Sequence, residues 1–317
     1  MGSESQPIQL IWGCRASCQF EQHWLLELLH PLQVQQVEQL GGELAEGLQL
    51  DQPRVLVESG LLLLERQPAP ERISQLQQSR RQRIEQLAAL GPFAVIHLSD
   101  EEGLDGDQLY SLLPADTPIW RNFPYPRFEA DQRIQTFPIG PRREFFGCVA
   151  HRLASGRSYP WAFMGTLWAS GSRTEAVSVF LRALPGGMFF GGRHFGLGLP
   201  LPAYREHLLN SVFALCPEGD RHLDTFRLYE CLQLGCIPLL VDRQAMAAPL
   251  LGPDHPLPLF AHWRQALAFA QQQLASPEQL DRLQQQIQHW WANRKAELSS
   301  AMRGSLIREN PPIGQLD

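Results

Sequence analysis

The residues best placed to do chemistry lie in CPEGDRHLDTFRLYECLQLGCIPLLV, residues 216–241. The stretch passes from an apolar segment through a charged loop into a short helical pattern. It then steps through Gly-Cys-Ile-Pro into a second apolar segment. The spacing predicts a helix over FRLYECLQL, with Gly235 at the position after its last residue and Asp224 or Thr225 as its cap. Arg227 and Glu230 are three apart and share one face, while Phe226, Leu228, Tyr229, Cys231 and Leu232 supply the buried sides. A helix start favours anions, and Arg227 adds charge to it. The Glu230 carboxylate can accept from two hydroxyls, such as those of a ribose. The same spacing also serves an Arg–Glu pair on the surface of an ordinary helix, and the sequence leaves both readings open. In the preceding loop Asp220, Arg221 and His222 could touch phosphate or sugar, with Arg221 favoured on charge.

The elements around this stretch alternate. IQLIWG (8–13), PRVLVESG (53–60), FAVIHLSD (93–100) and TPIWRNF (117–123) read as strands, and FEQHWLLELLHPL (20–32) and ERISQLQQSRRQRIEQLAAL (71–90) as helices. In the second helix Ile73, Leu76, Ile84, Leu87 and Leu90 fall largely on one face, and Gly91-Pro92 stops it. Alternation of this kind predicts parallel pairing with crossover helices. Residues 138–160, rich in Gly, Pro and Arg and without period, read as a linker. The pattern then restarts. WAFMGT (161–166), GGMFFGG (186–192), SVFALCP (211–217) and IPLLV (237–241) read as strands. SRTEAVSVFLRAL (172–184) reads as a helix opened by a Ser172–Glu175 capping box. AHWRQALAFAQQQLA (261–275) reads as another, and a Gln-rich helix runs from Pro277 toward Arg303. The expected domains are residues 1–145 and 158–303, with a disordered tail over 304–317. Two such α/β halves put ligands at the carboxyl ends of strands, in a cleft between the domains. Gly165 and Arg173 follow the first strand of the second half, where backbone can approach a phosphate at a helix start.

Length and composition agree with this division. The 317 residues exceed one ordinary core and suit two. Hydrophobic residues make up 44% and charged residues 19%, the balance of a globular protein. A formal net charge of -6 argues against a nucleic-acid partner. Lys295 is the sole lysine, so arginine, the better fork for phosphate, carries the positive charge. The opening MGSESQPIQLIWG has neither a basic nor a long apolar run, and no segment is long and apolar enough to span a membrane. The expectation is a cytoplasmic protein with six reduced cysteines. Cys14 and Cys18 have the spacing of half a metal site, but no second pair matches it, and buried structural thiols are the simpler reading.

FALCPEG followed by DTFRLYECLQLGCIPLLV resembles the carboxyl-terminal signature of exostosin-like glycosyltransferases (family 47): a Cys-Pro-x-Gly turn, a short gap, Thr/Ser-x-Arg-x-x-Glu and then Gly-Cys-Ile-Pro. The match runs from Phe213 to Val241, with all elements in order. A wider, looser likeness joins VIHLSDEE, WRNFPYPRF and FPIG to the first half of bacterial members, and WAFMGTLWASGSRTEAV to the start of their donor domain. The resemblance implies the GT-B architecture, an α/β fold of two Rossmann-like domains facing across a cleft. It implies an inverting enzyme that moves a sugar from a nucleotide diphosphate, UDP-linked by preference, to a glycan or glycolipid hydroxyl. By that analogy Gly165, Arg173, Arg221, Thr225, Arg227 and Glu230 bind the donor, with Arg227 on the diphosphate and Glu230 on the ribose. The nucleotide sugar is a co-substrate, and no cofactor or metal is required. The family's eukaryotic members are membrane-anchored. This chain shows no anchor, which implies a soluble bacterial type that builds a surface polysaccharide or glycolipid from the cytoplasmic side, with peripheral membrane contact at most.

An inverting transfer needs a group to take the acceptor's proton. HLSDEE ends a strand of the first half, which makes Asp100 the first candidate and Glu101 the second, with Glu21 and His23 behind them. Asp105-Gly106-Asp107 has the spacing of a metal-binding Asp-x-Asp, yet it lies far from the donor signature and reads as a turn. GGRHFGLG (191–198) lacks the Lys-Ser/Thr of a phosphate loop. The alternatives to an enzyme are a catalytically silent nucleotide-sugar-binding subunit and a non-enzymatic sugar-binding protein.

Overall fold

The structure, a computed structural model, describes residues 7–13, 18, 20–39, 47–49, 51–61, 69–148, 150–167, 171–192, 198–219 and 222–308. The chain divides into two units, residues 1–138 with 295–317, and residues 139–294.

The first unit is built on β1 (Ile8–Trp12), α1 (Glu21–Leu29), β2 (Val34–Glu38), β3 (Arg54–Ser59), α2 (Pro70–Ala89), β4 (Ala94–Leu98), α3 (Gly106–Tyr110), β5 (Ile119–Arg121) and β6 (Ile134–Thr136). Its six strands are all parallel, in the order β2-β1-β3-β4-β5-β6. β1, β3 and β4 are buried along their whole length, with apolar cores interrupted by the buried polar residues Gln9, Arg54, Glu58, Ser59 and His97. β2, VQQVE, lies at the sheet edge with one buried residue and no apolar period, which is why the sequence gives no sign of it. Ile84 and Leu87 of α2 pack on Ile11, Leu56, Val95 and Ile119. Ile73, Leu76 and Leu90, expected on the same face, are only half-buried, and the buried face of α2 is completed by Arg80 and Arg83.

The second unit contains β7 (Tyr159–Thr166), α4 (Ser172–Ala183), β8 (Met188–Gly192), α5 (Leu201–Leu209), β9 (Ser211–Leu215), α6 (Phe226–Gln233), β10 (Ile237–Val241), α7 (Ala247–Leu251), β11 (Leu259–Phe260) and α8 (Trp263–Leu274). Its sheet, again parallel, has the order β11-β10-β9-β7-β8. The final helix, α9 (Pro277–Arg308), starts in this unit, and its residues from Lys295 onward belong to the first. There Ser299 Oγ donates to the Leu28 carbonyl at 2.5 Å, and Ser305 Oγ accepts from Trp120 Nε1 at 3.3 Å.

Several expectations are corrected. The first unit ends at Pro138 rather than near residue 145. The stretch read as a linker belongs to the second unit: Ile139 N donates to Asp224 at 3.2 Å, and Ala154 N to Gln284 Oε1 at 2.8 Å. The expected second domain over 158–303 loses residues from 295 to the first unit. Residues 304–308 are the last turn of α9 rather than a disordered tail, and 309–317 lie outside the described residues. No capping box opens α4. Gly171, with φ 81°, is its cap, and its carbonyl accepts from Glu175 N at 2.8 Å, while Ser172 is the first helical residue. A left-handed glycine turns the chain into the helix without a side-chain cap. Among the described residues no helix is long and apolar enough to cross a membrane.

Candidate functional site

In the second sheet the chain runs from β7 outward to β8 and returns on the other side of β7 as β9. Parallel sheets bind ligands beyond the carboxyl ends of the two strands that flank such a reversal. The sequence-predicted donor residues gather there. Gly165 is the penultimate residue of β7, Arg173 lies in the first turn of α4, and Thr225, Arg227 and Glu230 are carried by α6 and its cap.

Arg227 is the centre of this group. Its Nη2 donates to the Met164 carbonyl at 3.1 Å, and its guanidinium lies 4.4 Å from the centroid of the Phe163 ring. Its Nε and Nη1 are buried and make no hydrogen bond among the described residues. A buried guanidinium normally fills its donors, so two unbonded guanidinium nitrogens beside a helix start mark where an acceptor belongs. Gly165 makes the placement possible: a Cβ there would stand 2.2 Å from Arg227 Nη2. Thr225 occupies the cap position of α6 in extended conformation, but its hydroxyl does not cap the helix and is buried with no hydrogen-bond partner among the described residues. Asp224, the other cap candidate, accepts instead from Ile139 N and, at 2.5 Å, from the Tyr229 hydroxyl.

Arg173 is placed differently from Arg227. Its Nη1 donates to the Thr166 carbonyl at 2.8 Å and its Nε to the Glu218 carbonyl at 3.2 Å. It therefore ties the end of β7 to the loop after β9 and holds the floor of the site. Arg221 lies outside the described residues.

Glu230 is buried, and both its oxygens are engaged. Arg142 Nε pairs with Oε1, and the Tyr204 hydroxyl donates to Oε2 at 2.7 Å. The Arg142 guanidinium stands 5.5 Å from both the Phe145 and the Tyr204 ring centroids. Burial alone would lower the Arg142 pKa, but the facing Glu230 carboxylate outweighs it and raises it. Burial and then Glu230 push the Tyr204 phenol well above its usual range. The sequence reading missed Arg142 and Tyr204. Arg142 lies in the stretch taken for a linker, 88 residues from its partner. Tyr204 lies on α5, a helix the reading did not identify. Nothing local pairs either with Glu230.

In the first unit the expected proton acceptor is otherwise occupied. Asp100 Oδ1 accepts from Asp105 N at 3.1 Å, and Oδ2 accepts from Gly106 N at 3.2 Å and from Arg121 Nη2 at 3.2 Å. It caps α3 and neutralises a fully buried arginine. Glu101 is half-buried, and its carbonyl accepts from the Tyr125 hydroxyl. Asp100 belongs to a buried network in which Glu58 pairs with Arg80 and Arg83, and Asp105 with Arg80 and His97. Burial would raise the Asp105 pKa, but His97 and Arg80 hold it below the usual carboxylate range. The Asp-Gly-Asp triplet is thereby split, since Asp107 is exposed against Arg127 at 3.2 Å. Among the described residues no cluster of three His, Cys, Asp or Glu side chains could hold a metal ion. Cys18 is buried, and Cys14 lies outside the described residues.

The carboxyl ends of β4 and β5 also hold Ser99 and Asn122. Ser99 Oγ donates to Glu21 Oε1 at 2.5 Å, and Ser99 N donates to Asn122 Oδ1 at 3.0 Å. Glu21 opens α1 and is buried; burial raises its pKa, and the hydrogen bonds from Ser99 and its own backbone only partly counter this. His23 is half-buried on the same helix.

No protein-family model matches the chain, and no curated relative matches its sequence. The exostosin-like resemblance therefore rests on its motif alone. Solved structures do match. One is an α-glucosyltransferase in complex with UDP and a 13-mer DNA containing a central A:G mismatch, with a TM-score of 0.52 and 10% identity over 90% of this chain and 95% of that one. Another is an α1,3-fucosyltransferase, with a TM-score of 0.52 and 10% identity over 93% of this chain and 92% of that one. At this identity the likeness is one of fold: the chain has the two-sheet, parallel α/β architecture of these glycosyltransferases, the GT-B class.

Proposed function

We propose that the protein transfers a sugar from a nucleotide diphosphate, UDP-linked by preference, to an acceptor hydroxyl with inversion at the sugar carbon, and that the second unit holds the donor. The observation that carries this reading is the pair of buried Arg227 nitrogens, Nε and Nη1, that have no partner among the described residues, beside the Thr225 hydroxyl, at the strand reversal of a glycosyltransferase-type fold. A diphosphate offers the oxygens these donors lack, and a guanidinium fork with a helix start suits it. In the transfer the bond from the anomeric carbon to the phosphate oxygen breaks, and the electron pair leaves with the diphosphate. Arg227 faces the charge that develops there. Arg173 positions the loops, and Arg221 adds charge from the loop before α6. Glu230, already held by Arg142 and Tyr204, keeps lone pairs for a ribose hydroxyl, since a carboxylate offers about four acceptor sites. The acceptor is a glycan or glycolipid hydroxyl. The expectation against nucleic acid rests on net charge alone and gains no support from the comparisons, because one fold neighbour is bound to DNA.

Thermal unfolding with UDP, GDP, ADP and CMP tests the donor site. A nucleotide at about 100 times its dissociation constant stabilises by roughly 2.7 kcal/mol, or about 5–10 °C for a domain of this size. UDP is expected to raise the midpoint of the wild type. In Gly165→Ala the added Cβ would stand 2.2 Å from Arg227 Nη2 and drive the guanidinium from its place, which is expected to abolish that rise. The proposal fails if no nucleotide moves the wild type, or if Gly165→Ala responds as the wild type does.

A further inference from the structure

Residues 139–145 form a strap laid along α6. At its start Ile139 N donates to Asp224, two residues before the helix, at 3.2 Å. At its end the Phe145 carbonyl accepts from Gln233 Nε2, on the last residue of the helix, at 3.2 Å. Phe145 is buried against Tyr204 of α5, with ring centroids 6.0 Å apart. The strap, α5 and α6 all belong to the second unit, so this group stands on one unit alone. Tied at both ends, the strap carries Arg142 to the face of α6 that bears Glu230.

Arg142 uses one nitrogen there and keeps two. Its Nε pairs with Glu230 Oε1, while Nη1 and Nη2 make no hydrogen bond among the described residues, and the side chain is 33% exposed. The buried carboxylate and the two flanking rings already hold the guanidinium, so a ligand that meets it has little left to order. Arg227 is one turn from Glu230 on the same face of α6, and it lies close enough to act on Tyr204: burial and the Glu230 charge raise that phenol, and Arg227 lowers it. Arg205, the residue after Tyr204, stands 6.0 Å from the Phe145 centroid, donates to Cys148 Sγ at 3.0 Å and pairs with no carboxylate among the described residues. Three guanidiniums thus gather around Phe145, Tyr204 and the single buried carboxylate of Glu230. Glu144, the other acid that acts on Arg142, is exposed. An excess of positive charge in a partly desolvated place draws an anion.

We propose that Arg142 is a second arginine of the donor site, whose Nη1 and Nη2 take oxygens of the nucleotide diphosphate alongside Arg227. The inference rests on the sugar-transfer reading above and gives Glu230 a second task, that of holding Arg142 in place. A diphosphate carries more oxygens than one guanidinium can satisfy, and a planar fork held on its Nε side leaves its outer edge for two parallel bonds. The strap supplies this fork from outside the helix, which is why no spacing within α6 announces it.

The test is calorimetric titration of the full chain with UDP, GDP, uridine, guanosine and inorganic pyrophosphate, on the wild type, Arg142→Gln and Arg142→Lys. Arg142→Gln can still donate to Glu230 but has no fork and no charge. It is expected to weaken the diphosphates and pyrophosphate by about tenfold or more, the range of hydrogen bonds to charged groups, and to leave the matching nucleoside within about twofold. Arg142→Lys keeps the countercharge of Glu230 without the fork, is expected to lose less, and decides the case if Arg142→Gln does not fold. Where the nucleosides bind too weakly to titrate, pyrophosphate carries the same comparison. Diphosphate affinity within about threefold of the wild type in both variants, less than one charged hydrogen bond supplies, overturns the assignment. So does an equal loss for nucleoside and diphosphate, which would mean that Arg142 acts only by ordering Glu230. A wild type that binds neither UDP nor GDP overturns the sugar-transfer reading, and this inference with it.

Discussion

Replacing Glu230 by Ala would ordinarily be the first probe of a ribose contact, but its partners predict a stability effect before any effect on binding. The side chain is 1% exposed and holds two groups. Truncation leaves the buried Tyr204 hydroxyl without an acceptor, at a cost of about 1–3 kcal/mol. Arg142 loses its countercharge, but its side chain is 33% exposed, so solvent screens the loss to about 0–1 kcal/mol. Together these come to about 1–4 kcal/mol. At about 3 °C per kcal/mol for a unit of this size, the melting midpoint should drop by about 3–12 °C. Glu230→Gln keeps an acceptor for Tyr204 and should drop it by less than half as much. Tyr204→Phe removes the donor instead, so the double variant Tyr204→Phe/Glu230→Ala should be less destabilised than the sum of the singles by about 1 kcal/mol or more. Calorimetric melting of the wild type and the four variants at pH 7 without ligand measures this. A Glu230→Ala midpoint within 2 °C of the wild type, on the order of the smallest shift expected per kcal/mol, or strict additivity, would refute the argument that Arg142 and Tyr204 lock the carboxylate. Nucleotide binding by Glu230→Ala is informative only beside that control.

Two further outcomes concern the first unit. Asp100→Asn should destabilise it by about 3 kcal/mol or more, because Arg121 is left charged in a fully buried place; urea unfolding checks this, and a change below about 1 kcal/mol contradicts the structural role. Burial raises the Glu21 pKa in the folded state. The stability this group contributes is therefore full below the unfolded glutamate value of about 4.3 and is lost as pH rises through the folded value. Glu21→Gln should accordingly become more stable relative to wild type as pH rises from 4 to 7 in urea unfolding, on the order of the interval between those two values. A wild type that gains on the variant over that interval would contradict the burial argument.

The long central elements were legible in the sequence because local physics suffices for them. IQLIW, RVLVES and AVIHL are buried along their length and carry short runs of β-branched and other apolar residues that read as strands. Gly235, at φ 66°, closes α6 as a left-handed glycine should. Alternation of such elements implied two parallel α/β units. The Arg-x-x-Glu spacing on α6 singled out Arg227 and Glu230. What the sequence could not convey is which partners these side chains meet. Arg142 and Tyr204 reach Glu230 across 88 and 26 residues, and Asp100 looks like a free acid until Arg121, 21 residues away, closes on it. Glu58 is paired with Arg80 and Arg83 of α2, whereas among the described residues Glu21 is hydrogen-bonded to Ser99 and to no arginine. Edge strands such as VQQVE, and the run 138–160, gave no period to read because they are held by partners distant in the chain rather than by an apolar face of their own. Periodicity and turn chemistry are written in neighbours along the chain, so sequence alone determined the elements. Charge pairing and desolvation depend on what folding brings alongside, so only the tertiary structure decided which buried acids are paired with arginine and which are not.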